Sequence, residues 1–220
     1  MYLIGIAGGS GSGKTTFAQK IIQRSNENNI HIIHQDSYYL NEIPTNLSPC
    51  GTKLNFDHPE AFDWELLLNH LYSLREGHSI ECPNYDFKSS KRLNSTTEIV
   101  SGDVILFEGI FTLYNSMIRE MLDLKIFLNV EADIRFARRL SRDLNDRNRS
   151  LDSVVNQYYA TVRPMYKEFL EPQQQYSDLI VGEETDMAAD VIAAKIRNFI
   201  QEKSEPIRKE ENIEPSPFGI

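Results

Sequence analysis

The sequence predicts an α/β domain in which a mainly parallel β-sheet is covered by helices on both faces. Two observations carry this prediction. Short apolar runs alternate along the chain with segments of helical periodicity. These runs are almost continuously hydrophobic, as expected of strands that are buried on both faces. A chain of 220 residues, 40% hydrophobic and 25% charged, has the size and composition of one globular domain of this kind.

The strands of the predicted sheet are five short runs rich in apolar and β-branched residues. They cover residues 2–7, 30–34, 104–107, 125–130 and 179–181. Two further extended segments, 80–87 and 96–100, predict a small hairpin outside this sheet.

The predicted helices follow the strands in turn and cover residues 15–23, 132–146, 151–170 and 187–200, with one more after Pro59. Proline is favoured in a first helical turn, and the leucines beyond it keep helical spacing as far as Gly77. Pro164 predicts a kink or break within its helix.

Two segments lack periodicity. Residues 37–56 are predicted to be loop because prolines and a glycine interrupt them. Residues 204–220 shift to prolines and charges, so we expect a flexible tail behind a domain that spans 1–203.

Charge and cysteine content exclude several classes of protein. A formal net charge of −9 and a pI near 5.1 argue against general binding to nucleic acid or to a membrane surface. Cys50 and Cys82 show neither metal-ligand nor redox-motif spacing and are expected to be reduced thiols. With no membrane-length apolar run and no leader-like segment before the first strand, we expect a cytoplasmic protein.

The first predicted strand leads into a glycine-rich segment, residues 8–15, that fits the P-loop pattern G-x-x-x-x-G-K-[ST]. Glycines allow backbone N–H groups to converge on a phosphate, and the helix that follows presents its positive end. Lys14 adds a full positive charge, and the Thr15 hydroxyl is a suitable Mg²⁺ ligand. The pattern leaves open whether the phosphate acceptor is water or a substrate hydroxyl. The predicted nucleotide-binding residues are Gly8, Gly9, Ser10, Gly11, Ser12, Gly13, Lys14, Thr15 and Thr16.

Acidic residues follow two other predicted strands. Asp36 comes after 30–34 and Glu108 after 104–107, at the sheet edge where doubly wound folds bind ligands. Carboxylates there can hold Mg²⁺ or accept a proton from an attacking hydroxyl, although each alone could also be a cap or turn residue. Asp57 precedes a helix, so an N-cap and a substrate ligand are equally good interpretations. His58 is predicted to be structural.

Arginines are concentrated in one segment of this acidic chain. Helical spacing places the first four of them on one face, where they favour a lid that closes over phosphates. The alternative is a solvated helix face balanced by Asp133, Asp143 and Asp146. The arginines of this segment are Arg135, Arg138, Arg139, Arg142, Arg147 and Arg149.

Taken together, these segments make the chain resemble the uridine kinases (uridine–cytidine kinases) within the phosphoribulokinase/uridine kinase group. The resemblance extends over roughly residues 2–200 and is most specific in Phe-Asp-His-Pro and Tyr-Asp-Phe. The matching segments, in family order, are residues 8–15, 35–39, 55–63, 83–87, 107–110, 132–143 and 147–158.

The resemblance implies a P-loop kinase fold and transfer of a phosphoryl group from ATP or GTP, with Mg²⁺, to the 5′-hydroxyl of uridine or cytidine. It implies that Asp36 is the base and that Thr15, Asp36 and Glu108 surround Mg²⁺. It also suggests a homotetramer.

The remaining roles follow from the same resemblance. Lys14, Arg142 and Arg147 would act on the phosphates during catalysis, and Asp57 would bind the ribose 2′- and 3′-hydroxyls. The substrate residues that it implies are Tyr39, Phe56, Asp57, Tyr85, Phe87, Arg139, Arg149 and Gln157.

The chain departs from the family pattern at Ser90, where the family usually has a histidine that reads the pyrimidine edge. A serine hydroxyl is shorter and lacks the ring, so we expect base recognition to differ. Two alternatives therefore stay open. One is a kinase of another small hydroxyl compound, such as a different nucleoside, a sugar phosphate or a pantothenate-like acid. The other is a nucleotide-binding regulatory protein with little kinase activity.

Overall fold

The computed structural model describes residues 1–47 and 54–204, and within them a parallel five-stranded sheet forms the centre. Its strands are β1 (Tyr2–Gly8), β2 (Ile30–His34), β5 (Val104–Gly109), β6 (Leu124–Leu128) and β7 (Leu179–Val181). The strand predicted at 125–130 lies slightly earlier in the chain. The strand order is β2-β5-β1-β6-β7, which confirms the predicted α/β fold.

Seven α-helices are present in the same residues. Short 3₁₀ helices at Gln35–Tyr38, Thr45–Leu47, Pro59–Ala61 and Glu171–Tyr176 add local turns. The α-helices are α1 (Lys14–Ser25), α2 (Trp64–Arg75), α3 (Ser116–Met121), α4 (Ala132–Asn145), α5 (Leu151–Gln157), α6 (Arg163–Met165) and α7 (Asp186–Ser204).

The core lies on both faces of the sheet because neighbouring strand residues point to opposite sides. One face packs against α2 and α3 and contains Leu3, Ile105 and Phe107. The other packs against α1 and α7 and contains Ile4 and Leu106. These strands are apolar throughout because helices cover both of their faces.

A small antiparallel hairpin stands apart from the sheet, as predicted. It consists of β3 (Ile80–Asp86) and β4 (Lys91–Ile99). β4 begins at Lys91 rather than at residue 96, so the prediction of its start was wrong. The polar, mostly exposed residues at the start of β4 carry no apolar pattern that would have marked them as strand.

The segment predicted as one helix over 151–170 stays helical across Pro164. Between α5 and the end of that segment, two π-helical turns, Tyr158–Val162 and Tyr166–Leu170, flank the short α6. The N–H of Arg163 bonds to the carbonyl of Tyr158. This wider hydrogen-bond spacing accommodates a proline, which would clash in a regular helix.

The sequence did not predict α3, a helix of 6 residues that the Asn115 side chain caps through the N–H groups of Met117 and Ile118. Residues 48–53 and 205–220 lie outside the described residues, and with them Cys50 and nearly all of the segment predicted as a tail. Cys82 is a free, buried thiol. Nowhere in 1–47 or 54–204 does a helix combine the length and apolar character needed to span a bilayer.

Candidate active site

A cavity of about 260 Å³ opens at the carboxyl edge of β1, β2 and β5. Most of the residues predicted for the site line it, although they come from distant parts of the sequence. Ser90 lines it as well. The predicted residues in its wall are Ser10, Gly11, Lys14, Thr15, Asp36, Tyr39, Phe56, Asp57, Tyr85, Phe87, Glu108, Arg139, Arg142, Arg147, Arg149 and Gln157. The other predicted residues, Gly8, Gly9, Ser12, Gly13 and Thr16, belong to the P-loop backbone or the first turn of α1 but not to the wall.

The P-loop has the backbone geometry that its glycines predict. Gly11 and Gly13 have φ angles of +81° and +92°, a region that side chains disfavour. A Cβ on Gly11 would lie 2.2 Å from the carbonyl oxygen of Arg135. Lys14 begins α1, and its Nζ donates to the carbonyl of Gly9 at 3.2 Å. The loop therefore wraps around the lysine at a helix N-terminus, an arrangement suited to phosphate.

Glu108, at the end of β5, joins two residues of neighbouring elements. Thr15 Oγ1 donates to its Oε1 at 2.8 Å, and His34 Nδ1 lies 2.7 Å from the same oxygen. Burial raises the pKa of Glu108, but the bond from His34, the charge of Lys14 and the Thr15 hydroxyl outweigh it and leave the pKa below its usual value. Glu108 is thus held as a carboxylate. Sequence reasoning missed His34, although its position at the end of β2 was a usable signal.

Asp36 lies in the 3₁₀ turn Gln35–Tyr38 that directly follows β2. Burial, and then the nearby charge of Glu108, raise the pKa of Asp36, while Lys14, Arg147 and Arg142 oppose the shift. Burial lowers the pKa of Lys14, against the opposing charges of Glu108 and Asp36. A carboxylate whose pKa is raised is better matched to accepting a proton near neutral pH than an ordinary aspartate.

The donor atoms at this edge fit Mg²⁺. Thr15, Asp36 and Glu108 offer one hydroxyl and two carboxylates, and hard oxygen ligands are what Mg²⁺ prefers. Within residues 1–47 and 54–204 there is no group of three or more His, Cys, Asp or Glu side chains that could hold a metal ion. Mg²⁺ in proteins is usually bound through one or two carboxylates together with water and substrate phosphates, so two carboxylates and a hydroxyl are within its usual ligand set.

Aromatic side chains form the opposite wall. The ring of Tyr39 meets that of Phe56 edge-on, with the ring centroids 5.5 Å apart, and its centroid lies 5.2 Å from that of Tyr85. The ring of Tyr85 in turn meets that of Phe87 edge-on at a centroid distance of 5.2 Å. Burial, with the charge of Asp36 as the next cause, raises the pKa of Tyr85 to about 12, so its hydroxyl keeps its proton. The wall can therefore pack against a flat ring and also donate hydrogen bonds.

Asp57 lies in the cavity wall and does not cap a helix. The side chain of His58 accepts from Glu60 N–H and caps the 3₁₀ turn, while Asp63 caps α2. The predicted structural role of His58 is confirmed by this cap. Asp57 Oδ2 instead accepts a hydrogen bond from the buried Thr161 hydroxyl at 3.0 Å. No sequence pattern marked Thr161 as a residue of the site, because it lies 104 positions from Asp57 along the chain.

Four of the six arginines form what we call the arginine cluster, namely Arg139, Arg142, Arg147 and Arg149, and all four line the cavity. The other two do not. Arg138 pairs with Glu183 at 2.6 Å on the surface, so the expectation that it shares the lid face was wrong. Its position on α4 turns it away from the cavity.

Arg135 is buried behind the P-loop, where its guanidinium lies 3.8 Å above the ring of Tyr166. Asp143, which the alternative interpretation placed on a solvated helix face, is fully buried among the arginine cluster. Its partners Arg147 and Arg149 lie beyond the end of α4, and helical spacing within α4 could not reveal them.

Known proteins resemble this chain in sequence and, separately, in architecture. A sequence model of the phosphoribulokinase/uridine kinase family matches residues 3–189. The chain is 46% identical over 203 residues to a uridine kinase of Lactobacillus helveticus, covering 91% of this chain and 96% of the relative. It is 44% identical over 204 residues to a uridine kinase of Halalkalibacterium halodurans, with coverages of 92% and 96%. The phosphoribulokinase from Rhodobacter spheroides has a similar fold, with a TM-score of 0.62 at 16% identity over 82% of this chain and 69% of that one.

Proposed function

The chain belongs to the phosphoribulokinase/uridine kinase family, and from this premise we propose that it transfers the γ-phosphoryl group of a nucleoside triphosphate to the 5′-hydroxyl of uridine or cytidine. One observation carries the proposal. The phosphate loop, two carboxylates and an aromatic wall surround one cavity, so a donor and a ring-bearing acceptor can meet there.

The donor is bound by the P-loop. Lys14 and the N-terminus of α1 attract its outer phosphates, and the arginine cluster supplies further positive charge. Mg²⁺ bound by Thr15, Asp36 and Glu108 would neutralise charge that develops on the phosphate oxygens. ATP and GTP both carry the phosphate chain that these residues recognise.

The acceptor is bound between the aromatic wall and Asp57. Tyr39 and Tyr85 offer ring surface for a pyrimidine, and the Asp57 carboxylate can accept hydrogen bonds from ribose hydroxyls. This arrangement directs the 5′-hydroxyl toward Asp36, which accepts its proton as the oxygen attacks the γ-phosphorus. The bond from that phosphorus to the β-phosphate oxygen breaks, and the nucleoside diphosphate leaves. The arginine cluster excludes water from the transfer when it closes over the phosphates.

An acceptor panel with purified protein tests the function directly. Uridine, cytidine, purine nucleosides, sugar phosphates and pantothenate are each incubated with ATP or with GTP in the presence of Mg²⁺. We expect uridine or cytidine to give the highest kcat/KM and a 5′-monophosphate product. 5′-Deoxyuridine is the matched control, because it keeps base and ribose contacts but lacks the attacking hydroxyl.

Ser90 is the reason for including the other acceptors. It occupies the cavity wall, and its hydroxyl interacts with that of Tyr85, so the base edge meets a short hydroxyl there. Selective phosphorylation of another acceptor in the panel would replace the pyrimidine nucleoside as substrate. Nucleotide binding without transfer to any acceptor would instead favour a regulatory protein.

A further inference from the structure

Four guanidinium groups converge on one buried carboxylate at the end of α4. Asp143 is 0% exposed, and its Oδ1 accepts from Nε and Nη2 of Arg142 at 3.0 and 2.9 Å. Nη1 of Arg147 lies 3.6 Å from the same oxygen. On the other side, Arg149 Nη1 and Arg139 Nε lie 3.4 and 3.6 Å from Oδ2. One carboxylate thus contacts all four members of the arginine cluster, two of which, Arg139 and Arg149, also donate to Gln157.

The backbone of Asp143 also fixes the chain that follows α4. Its carbonyl accepts a hydrogen bond from the N–H of Arg149 at 3.1 Å. This bond closes the turn that brings Arg147 and Arg149 back beside the end of α4. Residues from the helix and from the loop behind it therefore share a single anchor.

The cluster carries far more positive than negative charge. Burial and the neighbouring guanidinium of Arg142 lower the pKa of Arg147, and the carboxylate of Asp143 only partly opposes this. Arg139 Nε is buried and makes no hydrogen bond to any described residue. Two members of the cluster also donate to the uncharged Gln157 side chain. These bonds add no negative charge, so the cluster keeps a net positive charge in the cavity wall. Such a cluster suits a polyphosphate.

We propose that Asp143 is a positioning residue whose carboxylate aligns the arginine cluster for phosphoryl transfer while competing with the nucleotide's phosphates for the same guanidiniums. The proposal rests on the proposed function, because it concerns the same transfer. It has a specific consequence. Loss of the carboxylate frees the guanidiniums to bind phosphate but no longer holds them where the transferring group needs them. Nucleotide binding and turnover should therefore separate.

Asp143→Asn tests this consequence because it removes the charge and keeps the size of the side chain. We expect kcat with uridine to fall about 10- to 100-fold, as misplaced catalytic groups commonly cause. The Kd for ATP, measured by calorimetry, should stay unchanged or become tighter. Asp146→Asn is the matched control, since this carboxylate is exposed on the same segment and both parameters should keep wild-type values. A merely structural role would weaken ATP binding in parallel with turnover.

The proposal is overturned if the Asn variant turns over at the wild-type rate or if ATP binding weakens in step with kcat. Should the Asn variant not fold, Asp143→Glu takes its place, because it keeps the charge and moves it by one methylene. A kcat lowered about fivefold or more with unchanged ATP affinity would support positioning. A wild-type kcat in the Glu variant would contradict it. If the wild-type protein phosphorylates no nucleoside, the proposed function is contradicted instead. In that case the affinity for tripolyphosphate tests Asp143 alone. We expect the Asn variant to bind tripolyphosphate more tightly than wild type, and weaker binding would contradict the role of Asp143.

Discussion

The Thr161 hydroxyl donates a hydrogen bond to Oδ2 of Asp57 at 3.0 Å, joining residues that lie 104 positions apart. The same hydroxyl also contacts the carbonyl of Gln157 at 3.2 Å. Both Thr161 and Asp57 are buried, and Thr161 belongs to the π-helical turn Tyr158–Val162. The turn thereby holds one carboxylate oxygen of Asp57, a residue of the cavity wall.

Thr161→Val should weaken acceptor binding selectively. Valine fills the same volume but cannot donate, so Asp57 loses its orientation and a hydrogen bond to a charged group. We expect KM for uridine to rise about tenfold, since such bonds contribute about 1.5 kcal/mol or more. KM for ATP should not change, and steady-state kinetics with each substrate varied in turn will measure both. Thr161→Ser retains the hydroxyl and should stay close to wild type. Equal KM values for uridine in wild type and the Val variant would show that Thr161 does not orient Asp57.

The sequence predicted those parts of the site that depend on local patterns. The P-loop and Asp36 follow strands β1 and β2, and Glu108 lies near the end of β5. The apolar runs of these strands are visible in the sequence, and parallel strands bring their carboxyl ends to one edge.

The contact of Thr161 with Asp57 was beyond reach because tertiary packing brings together residues 104 positions apart. The burial of Asp143 was missed because Arg147 and Arg149 reach it from beyond the end of α4, where helical spacing does not apply. Helix α3 was missed because its 6 residues are too few to show periodicity.

Asp36→Asn should abolish most turnover and preserve nucleotide binding. The amide cannot accept the proton of the 5′-hydroxyl, and general-base catalysis typically contributes about 10²- to 10⁴-fold. We expect kcat to fall within that range while the Kd for ATP stays near that of wild type. Asp133→Asn, at an exposed position in the first turn of α4, is the control. Near-normal turnover of the Asp36 variant would remove this residue from the role of base.

The ion pair of His34 and Glu108 should make stability depend on pH. The hydrogen bond to Glu108, opposed by burial, raises the pKa of His34 above its usual 6.5. A raised pKa means that folding favours the protonated ring. The resulting stabilisation is complete below pH 6.5 and is lost as the pH rises through the raised value.

Urea unfolding of wild type and His34→Asn in magnesium-free buffer at pH 5.5 and pH 8.5 tests this sign. The His34→Asn variant should lose more of its free energy of unfolding, relative to wild type, at pH 5.5 than at pH 8.5. The difference between the two losses should stay below about 1 kcal/mol because the ring is half-exposed. The exposed His78, changed to Asn, should show no such difference between the two pH values. A larger loss at pH 8.5 would reverse the assigned direction.

Gly11 and Gly77 allow backbone strain to be separated from steric contact. Both have positive φ, +81° and +90°, so alanine at either position costs about 1–2 kcal/mol through its conformation alone. At Gly77 an added Cβ would meet no described atom within 4 Å, whereas at Gly11 it would lie 2.2 Å from the Arg135 carbonyl oxygen.

Since that oxygen belongs to helix α4, it cannot move without shifting the helix that carries the arginine cluster. Gly11→Ala should therefore lower the free energy of unfolding by about 1–3 kcal/mol more than Gly77→Ala, the usual range for overpacking. Only the Gly11 variant should also lose ATP affinity, because the displaced loop no longer directs its N–H groups at phosphate. Urea titration and calorimetry on both variants will measure these quantities. Equal stability losses with unchanged ATP binding would show that the P-loop can move away from α4 without cost.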